Sequence, residues 1–90
     1  MKRYFILFSG RVQGVGFRYF CYTTASTLGL TGSVRNLSNG CVEVLVQGEE
    51  DKLTSLLQVL LRGNGYLRID DYSLKEIPLV TEERKFTILG

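Results

Sequence analysis

Apolar residues run almost without a break from Tyr4 to Phe8. They then recur at helical spacing at Phe17, Phe20, Cys21, Ala25 and Leu28. The first pattern predicts a strand over Arg3 to Ser9, apolar on both faces and therefore central in its sheet. The second predicts a helix that Gly29 stops. Leu30 to Leu37 and Cys41 to Gln47 read as two strands around a turn. Leu53, Leu56, Leu57, Leu60 and Leu61 form a leucine stripe that predicts a second helix facing the core. Glu49, Glu50 and Asp51 suit its start, and Arg62 with Gly63 its end. Asn64 to Tyr66 predict a loop. Ile69 to Ile77 and Phe86 to Leu89 are weaker strand patterns around Pro78.

The order strand, helix, strand, strand, helix, strand is the α+β, ferredoxin-like βαββαβ plan. Such a sandwich is an antiparallel sheet with two helices on one face, here with a short C-terminal strand added. Its central hairpin has two possible registers. Asn39-Gly40 as a two-residue turn puts Arg35 on the face of Val42, Val44 and Val46. A three-residue loop, Ser38-Asn39-Gly40 with Gly40 left-handed, instead sets Arg35 opposite Glu43 as a cross-strand ion pair. The second register places Asn36 as the polar exception on the helix-covered face. A side-chain amide there needs hydrogen-bond partners or a ligand.

Ninety residues make a single domain, residues 1–90. No apolar run approaches a membrane span. The N-terminal apolar stretch is too short for a signal peptide, so the expected location is cytoplasmic. Cys21 and Cys41 suit packing thiols in a reducing compartment. With no His and two distant Cys, no metal site is expected. No cofactor is expected either. The net charge of +2 is uninformative, but its distribution is not. No Asp or Glu occurs before Glu43, whereas Lys2, Arg3, Arg11, Arg18 and Arg35 do. The N-terminal half should therefore attract anions.

That field surrounds a loop suited to an anion. Gln13, Gly14, Val15, Gly16, Phe17 and Arg18 join the first strand to the first helix. A helix start offers unpaired N–H groups and about half a positive charge. Gly14 and Gly16 let the backbone curl close to a ligand. Arg18 opposes the helix dipole, at a cost of about 0.3–1 kcal/mol, and a broken local rule of this kind points to function. The loop lacks the third glycine of a dinucleotide fingerprint and the Gly-Lys-Ser/Thr of a nucleotide P-loop. From the residues alone, the chain is an anion-binding α/β domain suited to phosphoryl chemistry.

Gly10 to Arg18, as Gly-Arg-Val-Gln-Gly-Val-Gly-Phe-Arg, resembles the phosphate-binding signature of the acylphosphatases. Leu28 to Asn36, followed by Asn39-Gly40-Cys41-Val42-Glu43 and Gln47-Gly48, resembles their second signature. The likeness covers essentially the whole chain. Departures are Asn39 where Asp is commoner, Ser33 where bulkier residues are common, and a Gly63 to Leu67 segment without the frequent Gly-Pro. The resemblance implies metal-independent hydrolysis of small-molecule acyl phosphates to a carboxylate and inorganic phosphate. It implies that Arg18 and the loop amides hold the phosphate, and that Asn36 positions water. A phosphate or sulfate anion should occupy the loop.

Other residues receive plainer readings. Arg35 is a strand-surface ion-pair partner, Arg11 supports the loop or the field, and both cysteines are inert. The domain is expected to be a monomer with no nucleic-acid or membrane partner. Two competing functions are a phosphate-binding module without turnover and an RNA-binding sheet that stacks bases on Tyr4, Phe5 and Phe8. The first leaves Asn36 unexplained. The second lacks an aromatic on Cys41 to Gln47 and has little net charge.

Overall fold

The computed structural model describes residues 1–90. Its elements are β1 (Lys2–Arg11), α1 (Phe17–Thr27), β2 (Thr31–Asn36), β3 (Val42–Gly48), α2 (Glu50–Arg62), β4 (Arg68–Ile77) and β5 (Phe86–Leu89). The sheet order is β4-β1-β3-β2-β5. The first four strands pair antiparallel, so the βαββαβ plan holds and β1 is an inner strand. β5 joins the free edge of β2 in parallel, which makes the whole sheet mixed.

Strand alternation explains the core. Ile6 and Phe8 of β1 point the same way as Val42, Val44 and Val46 of β3 and Val34 of β2. Phe17, Cys21 and Ala25 of α1 and Leu53, Leu56 and Leu60 of α2 cover them, and all belong to one buried cluster. Of the leucine stripe, Leu57 is half-buried and Leu61 is exposed, because it lies at the edge of the buried arc. β4 is an exposed edge strand, which accounts for its weak apolar alternation.

Local chemistry fixes the ends. Helix α1 closes with Gly29 N–H donating to the Ser26 carbonyl and Leu30 N–H to that of Ala25, the paired bonds of a Schellman cap. The hairpin has the register that sets Arg35 opposite Glu43 and Asn36 opposite Val42. Gly40 is left-handed, at φ 93°. Arg35 Nε donates to Glu43 Oε2 at 2.8 Å.

The connection from β4 to β5 must pass from one sheet edge to the other. It crosses the face away from the helices. There Arg3, almost fully buried, donates to both carboxylate oxygens of Glu83 at 2.8 and 3.2 Å. Gln47 bonds both polar backbone atoms of Val80, at 3.1 and 3.0 Å. These contacts set where β5 and residue Gly90 arrive, beside the loop that follows β1.

Candidate active site

The loop between β1 and α1 takes its shape from two left-handed residues. Gly14 has φ 72° and Gly16 φ 78°. A Cβ on Gly14 would meet nothing within 4 Å, so backbone conformation rather than crowding requires glycine there. Gly16 is the N-cap of α1, and no side chain caps the helix. No acid stands in its first turn. The first turn's hydrogen bond runs from Phe20 N–H to the Gly16 carbonyl at 2.9 Å. The N–H groups of Phe17, Arg18 and Tyr19 therefore precede the helical ladder and remain available to an anion.

A cleft of about 400 Å³ opens over this helix start. Val12, Gly14, Gly16, Phe17, Arg18 and Tyr19 line one side, and Asn36, Ile88 and Gly90 the other. The fold thus brings Gly14, Gly16, Phe17, Arg18 and Asn36 together. Gln13 and Val15 lie in the same loop but not in the lining. Gln13 turns its side chain to the β2–β3 hairpin, donating to the Leu37 and Cys41 carbonyls at 2.7 and 2.8 Å. Val15 packs against the core, and its carbonyl accepts a bond from Asn64 Nδ2 at 3.2 Å.

Electrostatics separate the arginines. Lys2, Arg3, Arg35 and Arg68 each pair with an Asp or Glu, whereas Arg11, Arg18, Arg62 and Arg84 pair with no acidic side chain, and of these four only Arg18 lines the cleft. Arg18 instead donates from Nη1 to the main-chain oxygen of Gly90, the last residue of the sequence, at 2.7 Å. That contact anchors one nitrogen of the guanidinium and leaves the rest of its donors without a protein partner. A half-exposed guanidinium held at one nitrogen keeps its other donors for a ligand.

Asn36 has the opposite character. Its Oδ1 is buried and has no hydrogen-bond partner, and it is the one such side-chain atom in the protein. Leaving a buried acceptor unsatisfied costs about 1–3 kcal/mol. The register explains how it got there: the three-residue turn keeps Asn36 on the helix-covered side, at the end where the sheet opens onto the cleft. A water or ligand in the cleft would supply the missing donor.

Cys21, one turn after Phe17, is not a candidate nucleophile. Burial pushes its thiol up to about 12. Several neighbours of the site were not apparent from sequence: the Gly90 carbonyl, the Ile88 and Tyr19 rim, and the Asn64 amide. Tyr19 at least stood beside Arg18 in the first turn. Ile88, Gly90 and Asn64 are distant in sequence and carry no local signal.

The acylphosphatase family model matches residues 4–88. The chain is 47% identical over 88 residues to an acylphosphatase of Clostridium beijerinckii, covering 98% of each. The crystal structure of acylphosphatase from Bacillus subtilis superposes with a TM-score of 0.94 at 37% identity, covering all of both chains. The same fold matches 12% of T. kodakarensis HypF, with a TM-score of 0.87 at 36% identity. Fold, loop and whole-chain similarity agree: the chain belongs to the acylphosphatase family.

Proposed function

We propose that the cleft hydrolyses the carboxyl–phosphate anhydride of acyl phosphates, with Arg18 and the loop amides holding the phosphoryl group and Asn36 holding water. The single observation that carries this division of labour is the buried, unpartnered Oδ1 of Asn36 in the same cleft as an arginine that no acidic side chain pairs.

The chemistry follows from the donors. Arg18 offers a planar fork matched to two phosphoryl oxygens. The amides of Gly14 to Arg18 add fixed dipoles, and the α1 dipole adds positive potential. Phosphoryl transfer depends on positioning and charge stabilisation, which these groups provide without reorganising. The Asn36 amide orients a water but does not take its proton. The water oxygen forms a bond to phosphorus as the bond from phosphorus to the acyl oxygen breaks. The acyl oxygen leaves with the bonding pair as carboxylate, and a phosphate oxygen accepts the water proton. A carboxylate is a good leaving group, so no acid is needed to protonate it.

The reading has no metal or cofactor requirement, and no group of three or more His, Cys, Asp or Glu is assembled in the fold. Both cysteines are free thiols, which suits a reducing compartment such as the cytoplasm. No helix is long and apolar enough to cross a membrane. Base stacking on the open sheet face gains little support, because Phe8 is buried in the core and Tyr4 packs against it, leaving only Phe5.

The test is hydrolysis of benzoyl phosphate, followed by ultraviolet absorbance with EDTA present, for wild type beside Arg18→Ala. Turnover by wild type that vanishes in the variant is the expected result. A folded wild type without turnover would turn the reading into that of a phosphate-binding module.

A further inference from the structure

Gln13 belongs to the loop by sequence, but its amide works elsewhere. Its Nε2 donates to the Leu37 carbonyl at 2.7 Å and to the Cys41 carbonyl at 2.8 Å. These are the two residues that flank the three-residue turn between β2 and β3. The Leu37 carbonyl also accepts from Gly40 N–H at 3.2 Å, and the Cys41 carbonyl from Leu37 N–H at 2.8 Å. A carbonyl oxygen has two lone pairs, so both are fully used. The hairpin mouth is thereby tied to the loop by one side chain that spends both of its N–H groups there. Leu37 directly follows Asn36. The loop that leads into Arg18 and the strand that carries Asn36 are otherwise separate in sequence.

We infer that Gln13 is a positioning residue: its side chain sets the spacing between the phosphate cradle and the Asn36 amide, and so between phosphorus and the attacking water. This inference rests on the roles proposed above for Arg18 and Asn36. Gln13 does not line the cleft, so it acts through Asn36 and not on the substrate. The requirement is geometric. Reacting groups held even about 1 Å out of place lose on the order of a hundredfold in rate, while a bound anion tolerates the shift. Loss of the tie should therefore lower kcat and leave phosphate affinity in place. A role in packing alone would lower thermal stability and leave the rate of the folded protein unchanged. A role in the cradle itself would lower phosphate affinity along with the rate.

The test compares wild type with Gln13→Met, which keeps the length of the side chain but has no donors. Benzoyl phosphate turnover is measured at a temperature where circular dichroism shows each protein folded. The dissociation constant of inorganic phosphate is read from the amide shifts of the loop. The expected result is a fall in kcat of about tenfold or more, with phosphate affinity within about twofold of wild type. A smaller fall in kcat, or an equal loss of phosphate affinity, overturns the inference. Gln13→Ala, which opens both carbonyls to water, carries the same expectation and threshold if Gln13→Met does not fold. Absence of turnover in wild type sinks the underlying hydrolase reading instead, and so is distinguishable from failure of the positioning role.

Discussion

Two strand amides, Gln47 and Asn36, sit at opposite ends of the sheet and on opposite faces. Gln47 of β3 is almost fully buried and partnered at both its oxygen and its nitrogen: the oxygen accepts from Val80 N–H and Arg3, and the nitrogen donates to the Val80 carbonyl. Asn36 of β2 has a buried oxygen with no partner. Burying an amide is unfavourable unless its bonds are remade inside the protein. At Gln47 the crossing segment remakes them, and the result is a clamp that delivers β5. At Asn36 the protein stops short, and the unfilled bond faces a cleft. The same chemical group is structural where it is satisfied and functional where it is not. The arginines repeat the contrast: Arg3 is gripped by Glu83, whereas Arg18 meets no acidic side chain.

The largest effect should come from removing the cleft arginine. Arg18→Ala is expected to lower kcat/KM for benzoyl phosphate by about 10³-fold, since it removes the one side-chain cation of the cradle. Steady-state kinetics and a phosphate titration should lose signal together. Next comes the unsatisfied amide. Asn36→Val should lower kcat by about 10²-fold, yet leave unfolding stability unchanged or raised by up to about 1 kcal/mol. A clear loss of stability in urea would erase the contrast between the two amides, because it would give Asn36 a structural partner after all.

The clamp predicts the reverse signature. Glu83→Gln should cost about 2 kcal/mol in urea unfolding near neutral pH. Its active site should respond only through the placement of β5. Burial alone would raise the Glu83 pKa, but hydrogen bonds from Arg3 and Thr31 and the Arg3 charge outweigh it and hold the carboxyl below its ordinary value of 4.5. A lowered folded pKa means the pair stabilises the fold above the ordinary carboxylate range. That stabilisation is lost as pH falls through the folded value. Wild type should therefore lose more stability than Glu83→Gln when pH drops below 4.5. The smallest effect belongs to Arg35→Ala. Its pair with Glu43 has the arginine half-exposed, so stability should change by less than about 1 kcal/mol and turnover hardly at all.

These contrasts were unequally legible in the sequence. The elements were readable because β1, α1, β2, β3 and α2 each bury a regular apolar pattern. The position of Asn36 was readable because Arg35 and Glu43 make sense only in the three-residue register. Arg18 stood out because it breaks the dipole rule. The parallel docking of β5 was not readable, since a crossing held by Arg3, Gln47, Glu83 and Val80 has no local periodicity. For the same reason the Gly90 anchor of Arg18 and the Gln13 tie were invisible. A glutamine in a glycine loop looks the same whether its amide turns to a ligand or to the neighbouring hairpin. Leu61 shows the limit of the leucine stripe, whose period alone does not say which flank lies outside the buried arc.

The most direct test of the account is a paired measurement on Asn36→Ala: benzoyl phosphate turnover and the dissociation constant of inorganic phosphate. The account predicts that turnover is lost while phosphate binding stays within about twofold of wild type, because water and phosphate are held by different residues. Retained turnover, or an equal loss of both, would contradict it.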